Sequence, residues 1–576
     1  MNDEGALNVR WGHWIAEGLA CAGVETVCVS PGARSAPLAV AVRRHPRLHC
    51  VVHYDERGAA FFALGTALRQ GKPAALVCTS GTAGVNYMPA IVEASYHHVP
   101  LVALTADRPP EHINVGANQA IDQSNLYGSF VRLHLSLPCP TEVLEEPFVQ
   151  RRVIQAVNRS CTPRPGPVHI NCPFREPLLG KCSLPSSSEC ADTPNTVKHE
   201  IRLSPADEDI QAFVGAVAKG PGIVIAGGLR NPNEAAAIEE LAEHLGWPVL
   251  PDIASGLRFK GDSPVVIPHV DLLMGFLEFA EKLDGHTVLH VGNRITSKRL
   301  IQYLQAYPPD RHFQVTSHGD PVEPWFTETR FIQADPSVFC RDARAAISNS
   351  TIHESNELTS LKEASNYIAL YIENAFTWDA PLTEPYVCRR IAAQPDIGSI
   401  FVGNSMPIRN MDAFAGSRDT PIRIYANRGA SGIDGSIATF AGIAAAADGP
   451  CMAVIGDLAA LHDLNSLGLL HHAPCPPTIV VINNNGGGIF HFLPLDSAND
   501  VFEDCFGTPH GMNFEAATRQ FDLVYHAPDN AVELDDILKA PPTKPTLIEI
   551  TTDRKSNRQF QDKLLTQLHT FIYDIR

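Results

Sequence analysis

Short, unbroken apolar runs recur through the first third of the chain: Val27–Val29, Cys50–Val52, Ala74–Cys78 and Leu101–Leu104. Each ends in a polar or glycine-rich turn: Ser30-Pro31-Gly32, Tyr54-Asp55-Glu56-Arg57-Gly58, Thr79-Ser80-Gly81-Thr82 and Thr105-Ala106-Asp107-Arg108-Pro109. Runs this short, without polar alternation, suit strands buried on both faces. The helix-length segments between them, such as the apolar Ala59–Leu68, predict βαβ units and a parallel sheet. Function in such sheets gathers in the loops at the carboxyl ends of strands, and all four turns fall there. The pattern resumes twice. Gly222–Ala226 and Thr287–Val291 read as strands with Asn233–Leu245 as a helix, and Ile400–Val402, Arg423–Ala426, Met452–Ile455, Thr478–Ile482 and Thr546–Ile550 read as a last set of strands. A Ser/Pro-rich stretch, Ser183–Thr196, and a polar one, Ser348–Ser360, separate the three sets. The expectation is an α/β chain of three domains, over residues 1–182, 200–347 and 375–576.

Composition narrows the class. At 576 residues, 44% apolar and 19% charged, the chain is of a globular kind with several cores. Its formal charge of −18 disfavours nucleic acid or an anionic membrane surface as the main partner, while leaving room for small anions held by a few arginines. The fourteen cysteines include no C-x-x-C pair and often sit inside apolar runs, as at Cys28 and Cys78, so they read as small buried hydrophobes in a reducing compartment. The N-terminal Met1-Asn2-Asp3-Glu4 lacks the apolar core of a secretory signal, and no run is long enough to span a bilayer. Cytoplasmic location and no membrane insertion are expected. His97-His98 and His471-His472 have no third ligand at metal spacing and read as structural or surface residues.

The sharpest local chemistry is in the last third. One strand runs into Gly456-Asp457-Leu458 and the next into Asn483-Asn484-Asn485-Gly486, with 27 residues from Asp457 to Asn484. That spacing holds a loop, a helix and a strand, so both turns can meet at one edge of a parallel sheet. Mg²⁺ takes oxygen ligands in an octahedron shared with phosphates. Asp457 can offer a carboxylate oxygen, Asn484 an amide oxygen and Gly486 a backbone carbonyl. In the first third, Glu56 opens an apolar helix, where an acid also suits the helix dipole. Asn427-Arg428-Gly429-Ala430-Ser431-Gly432-Ile433-Asp434-Gly435 is a glycine-rich loop able to turn tightly.

The Gly-Asp to Asn-Asn spacing resembles the cofactor signature of thiamine-diphosphate enzymes, with Leu458 where the general pattern has a second glycine. Those two motifs, taken with Ser30 to Ser35, Asp55 to Gly58, Thr79 to Ala83, Thr105 to Pro110, Gly116 to Gln119, Asn427 to Gly435 and Asn483 to Phe490, closely resemble the 2-succinyl-5-enolpyruvyl-6-hydroxy-3-cyclohexene-1-carboxylate synthase (MenD) family of menaquinone biosynthesis. The likeness is dense in the first and last thirds and thin in the middle. It implies a three-domain thiamine-diphosphate-binding fold: a pyrimidine-binding domain, a central α/β domain and a diphosphate-binding domain. It implies thiamine diphosphate with Mg²⁺, or Mn²⁺, as cofactors, and a homodimer or homotetramer with active sites at the subunit interface. The reaction implied is decarboxylation of 2-oxoglutarate and addition of the remaining four-carbon unit to isochorismate. Acetolactate-synthase-type chemistry and a catalytically silent ligand-binding relative are the alternatives. A nicotinamide dehydrogenase is disfavoured, since the middle third offers only Gly227-Gly228 and no G-x-G-x-x-G run.

Residue by residue, the resemblance implies Glu56, Arg34, Gln119 and Arg409 as catalytic. It places Glu56, Ser405, Ile433, Gly456, Asp457, Leu458 and Asn484 on the organic cofactor, and Asp457, Asn484 and Gly486 on the metal. Arg34, Arg108, Asn118, Gln119, Lys298, Arg299, Arg409, Arg428, Ile489 and Phe490 are implied around substrate. Guanidinium groups suit the carboxylates of both substrates, and Ile433 would wedge between the two cofactor rings. Core packing is an equally open role for Ile489 and Phe490. Ala33 departs from the serine usual beside Arg34 in the family, so a hydroxyl donor is absent there.

Overall fold

The computed structural model describes residues 3–182, 202–276, 279, 281, 283, 286–322, 329–348, 356–376, 382–495 and 500–574. Ser183–Thr196 lies outside them. Of the expected polar boundary Ser348–Ser360, residues 349–355 also lie outside, whereas Asn356 opens the helix Asn356–Ala375.

Three sheets form, and every strand pairing within them is parallel. The first has strands β1 Thr26–Val29, β2 His49–Val52, β3 Ala74–Cys78, β4 Leu101–Asp107, β5 His134–Ser136 and β6 Val168–Pro173, in the order β2-β1-β3-β4-β6-β5. The second has β7 Gly222–Ala226, β8 Val249–Pro251, β9 Thr287–Val291, β10 Arg311–Thr316 and β11 Thr329–Gln333, in the order β11-β10-β9-β7-β8. The third has β12 Ser399–Val402, β13 Arg423–Tyr425, β14 Cys451–Gly456, β15 Thr478–Asn483, β16 Val524–His526 and β17 Thr546–Thr551, in the order β13-β12-β14-β15-β17-β16. Every residue of β1, β3, β4, β7 and β9 is in the interior, but the run Cys50–Val52 is not: β2 lies at the edge of its sheet and leaves Val52 exposed.

Two expectations about turns need correction. β4 continues through Thr105 and Ala106 to Asp107, because Thr105 is wholly buried and bonded inside the sheet. Asp457 stands not in an open turn but as the first residue of the helix Asp457–His462, entered directly from β14. Among the described residues twelve cysteines are free thiols, as expected, but Cys21 is disulfide-bonded, against the reading of uniformly reduced cysteines. His97 ends the helix Met88–His97, and His471-His472 end the 3₁₀ helix Leu464–His472.

The chain divides into two compact units. One comprises Met1–Ile201, Asn427–Asp448 and Leu461–Cys475, so it holds the first sheet together with the helix Ser436–Ala445. One face of that sheet packs Trp11, Ile15 and Leu19 with Val149, Val153 and Val157. In the same unit, the helix Glu56–Gln70 lies backbone to backbone against Ser436–Ala445. A Cβ at Gly65 would run into the Thr439 carbonyl, and one at Gly442 into the Phe62 carbonyl. The other unit comprises Arg202–Ala426, Gly449–Ala460 and Pro476–Arg576 and holds the second and third sheets. They share an apolar core in which Ile223 and Ile225 belong to the same cluster as Val402, Val454 and Val480. Among the described residues no helix is long and apolar enough to cross a membrane.

Candidate active site

In the first unit, the expected residues follow the carboxyl ends of β1 to β4. After β2, the Asp55 carboxylate accepts the N–H groups of Arg57 and Gly58 at 3.0 and 3.5 Å and so starts the helix Glu56–Gln70. This puts Glu56 at the positive end of the helix. Its half-buried carboxylate accepts Asn86 Nδ2 at 3.3 Å. After β1, the buried Arg34 donates to the Phe174 carbonyl at 2.8 Å and to Glu176 at 2.6 Å, and Arg108 lies 3.6 Å from the same Glu176 oxygen. Glu176 is largely exposed, so a protein carboxylate sits on the guanidinium that a substrate carboxylate was expected to use. After β3, Ser80 and Gln119 bond reciprocally: Ser80 Oγ donates to the Gln119 carbonyl at 2.9 Å, and Gln119 Nε2 donates to the Ser80 carbonyl at 3.1 Å. Asn118 and Gln119 are exposed, on the loop after β4.

Beneath these loops lies a buried polar layer that the sequence did not reveal. Gln123 Nε2 donates to Asn171 Oδ1 at 2.8 Å while its Oε1 accepts the Gly81 N–H at 3.0 Å. Thr105 Oγ1 bonds His169 Nε2 at 2.7 Å and donates to Asn171 Oδ1 at 3.0 Å, and Asn171 Nδ2 donates to Asp107 at 2.7 Å. Burial pushes the Asp107 carboxyl up to about 6, against the lowering effect of Asn171 and Arg34. Thr105 and Asp107 come from β4, His169 and Asn171 from β6 and Gln123 from the loop after β4, so only the fold brings the three segments together.

The loop 427–435 also belongs to this unit. Asn427 Nδ2 donates to Thr439 Oγ1 at 3.2 Å. Gly435, at φ 56°, lies so close to Phe61 that a Cβ would overlap its ring, which ties the loop to the helix begun by Glu56. Ile433 is 37% exposed and Arg428 half-buried.

In the second unit, Asp457 and Asn484 do meet at one sheet edge. Asp457 Oδ1 accepts the Leu458 N–H at 2.7 Å, and its Oδ2 accepts the Gly486 N–H at 2.8 Å and bonds His510 Nε2 at 3.1 Å. Asn484 Nδ2 donates to Glu384 at 2.8 Å, which turns the amide oxygen away. That Oδ1 is buried and has no hydrogen-bond partner, an arrangement that costs free energy unless something electropositive fills it. Carboxylate, orphaned amide oxygen and the Gly486 carbonyl are all hard oxygen donors, so the residues fit Mg²⁺ or Mn²⁺. Gly486, at φ 129°, has no space for a side chain, since a Cβ would meet the Gly507 carbonyl. His510 and Glu384 are additions to the expected set. Glu384 opens the helix Glu384–Ala392 and also accepts Asn410 Nδ2 at 3.3 Å. Burial raises its carboxyl to about 6, the Asn484 bond opposing and Asp457 reinforcing the shift. Its place at a helix start, far from both motifs in sequence, gave no signal.

Ser405, at φ 72°, precedes the helix Met406–Phe414, and Arg409 donates to its carbonyl. Leu458, Ile489 and Phe490 are half-buried, with Phe490 packed on Phe506 at 5.5 Å between ring centroids. Lys298 and Arg299 begin the helix Lys298–Ala306 beside the second sheet. Lys298 is exposed, while Arg299 is paired with Asp271.

Residues 9–126 match the family model described as thiamine pyrophosphate enzyme, N-terminal TPP binding domain, and residues 196–402 match middle domain of thiamine pyrophosphate. The chain is 40% identical over 565 residues to a protein of Rubrobacter xylanophilus named 2-succinyl-5-enolpyruvyl-6-hydroxy-3-cyclohexene-1-carboxylate synthase, covering 97% of this chain and 98% of that one. Proteins of the same name from Salinibacter ruber and Aeromonas salmonicida are 38% and 36% identical, covering 96% and 94% of this chain and 95% of each relative.

Proposed function

The chain belongs to the 2-succinyl-5-enolpyruvyl-6-hydroxy-3-cyclohexene-1-carboxylate synthase family of thiamine-diphosphate enzymes, and on that premise we propose that it joins 2-oxoglutarate to isochorismate with loss of CO₂. The single observation that carries the reading to this chain's own residues is the orphaned Asn484 oxygen beside Asp457 and Gly486, a ready set of donors for a cation that grips a diphosphate. When bound, thiamine diphosphate supplies the electron sink on which a 2-oxo acid can lose CO₂.

The protein's part is orientation and charge. Asp457, Asn484 and the Gly486 carbonyl hold Mg²⁺, or Mn²⁺, and Glu384 keeps the Asn484 oxygen facing it. Glu56 holds and moves a proton at the pyrimidine nitrogen from the start of its helix, where Asn86 steadies the carboxylate. Ser405, Gly456 and Leu458 would border the cofactor, and Ile433 would pack against its rings. Arg34, Lys298, Arg299, Arg409 and Arg428 bind substrate carboxylates, with Arg108 nearby and Asn118 and Gln119 offering neutral hydrogen bonds. Ile489 and Phe490 exclude water. Use of Arg34 requires that Glu176 give up its place on the guanidinium. Assembly is a homodimer or homotetramer with the first-sheet and third-sheet loops of different subunits facing each other, and the location is cytoplasmic.

The test is CO₂ release with Mg²⁺ and thiamine diphosphate. Turnover that requires 2-oxoglutarate and isochorismate together supports the proposal. Turnover on pyruvate would assign acetolactate-type chemistry instead, and cofactor binding without turnover on either would mark a silent relative.

A further inference from the structure

The loop that carries Arg428 and Ile433 is held by a residue outside every motif considered so far. Glu93 lies in the helix Met88–His97 and is 3% exposed. Its carboxylate accepts the N–H groups of three consecutive residues: Gly429 at 2.6 Å, Ala430 at 2.6 Å and Ser431 at 3.4 Å. Three successive N–H groups converging on one point form an anion-binding nest, and here the anion comes from the protein. Gly429 is what permits the approach, because a Cβ there would meet the Glu93 carbonyl oxygen and the His97 nitrogen. Ser431, at φ 62°, completes the curvature that points its N–H inward.

A buried carboxylate is costly and persists only when its bonds return the cost. His97 Nδ1 stands 3.3 Å from the Glu93 carboxylate, one turn along the helix. Burial pushes the Glu93 carboxyl up, yet the bonds from His97, Ala430 and Gly429 outweigh it and hold the group below its ordinary value. The far end of the loop is held as well. Ser436 Oγ donates to the Ile433 carbonyl at 3.2 Å, and the buried Asp463 accepts the Ala438 N–H at 2.9 Å. Arg428 immediately precedes the Glu93 nest, and Ile433 lies between the two anchors.

We propose that Glu93 is the positioning residue for the 427–435 loop, setting the places of Arg428 and Ile433 from a helix that holds none of the residues assigned to substrate or cofactor. The proposal rests on the reading that these two residues serve the reaction. It explains why Gly429, Ala430 and Ser431 stand between them: a glycine, a small residue and one able to take a positive φ, each donating to one carboxylate.

The test is Glu93→Gln in the full chain. The amide sets an N–H₂ against N–H donors, so one or more charge-assisted bonds are lost with little change in volume. Amide hydrogen exchange at residues 428–433, read by mass spectrometry, should accelerate about tenfold or more, the loss expected for one such bond, while exchange in β3 and β4 stays as in the parent. The KM for a carboxylate substrate should rise about tenfold and kcat fall less, as displacement of Arg428 predicts. Glu93→Asp keeps the charge but shortens the reach, should give smaller changes of the same kind, and serves as the readout where the glutamine variant does not fold. Unchanged exchange at 428–433 in a folded variant overturns the role of Glu93. Faster exchange with unaltered KM and kcat overturns the reading of Arg428 and Ile433 and the proposal with it. A parent enzyme inactive on both substrates sinks the functional reading alone, since the exchange measurement still reports on Glu93.

Discussion

The first and third sheets are the same object built twice. Renumbered from their own first strands, β2-β1-β3-β4-β6-β5 and β13-β12-β14-β15-β17-β16 are one strand order. In both, the order reverses between the first and third strands, the switch point where ligands settle in open parallel sheets. Equivalent loops carry the expected site residues in both. After the first strand stand Arg34 and Ser405, after the second Glu56 and Ile433, after the third Ser80-Gly81 and Asp457, after the fourth Arg108 and Asn484. What differs is how the polar atoms beneath the loops are satisfied. In the first sheet, Gln123, Thr105, Asn171 and Asp107 bond one another in a closed chain. In the third, Glu384 takes the nitrogen of Asn484 and leaves the oxygen with nothing. The lesson is that one topology can close its polar layer or leave it open, and on the proposed function the closed layer would underlie the proton-handling edge and the open one the cation-holding edge.

The comparison can be broken at either edge. The largest effect is expected from Glu56→Gln, which should lower kcat by about 10²–10⁴, the usual worth of a positioned acid–base group, with cofactor affinity within a few-fold of the parent. Near-parental turnover would take the proton role away from the first sheet. Asp457→Ala should come next, weakening Mg²⁺-dependent cofactor binding by more than about 100-fold, beyond the loss typical of a supporting residue. Titration calorimetry showing unchanged affinity would move the cation elsewhere.

The closed layer should fail as structure rather than as chemistry. Gln123→Ala strands the Gly81 N–H and removes a donor to Asn171, so it should cost about 1–3 kcal/mol in thermal or denaturant unfolding. A cost near zero would mean that the layer is not a scaffold. The smallest effect is a pH dependence. The folded chain holds the Asp107 proton up to about 6, whereas an unfolded aspartate releases it near 3.9. The stability from this group is therefore complete below about pH 4 and is lost as pH rises through about 6. Asp107→Asn cannot ionise, so its Tm relative to the parent should climb between about pH 4 and pH 6 and level off above that. A difference that stays flat would deny the raised value.

How much could be read in advance followed the range of the forces involved. Strands buried on both faces announce themselves as apolar runs, and Ala74–Cys78, Gly222–Ala226 and Thr287–Val291 have the bounds the pattern predicts. Short edge strands, β5, β8 and β16, left no such trace, and neither did the interior strands β6 and β10, where His169, Asn171, His312 and Gln314 interrupt the apolar run. Asp457, Asn484 and Gly486 were legible because their spacing is set by a single βαβ unit. Glu384, His510, Glu93 and Gln123 were not, because their partners are distant in sequence and their residue types are ordinary for helices and loops. The Arg34–Glu176 pair was equally hidden, since nothing in a run of residues says which carboxylate an arginine will find.

The paired glycines where Glu56–Gln70 meets Ser436–Ala445 have an evolutionary consequence. With carbonyl oxygens where side chains would otherwise intervene at Gly65 and Gly442, the contact has no spacer that drift could trim or enlarge. A helix exchanged for one that lacks its glycine would drive a side chain into its counterpart's backbone, so segments far apart in the gene are constrained as one module, and recombinants that lose either glycine should fold poorly.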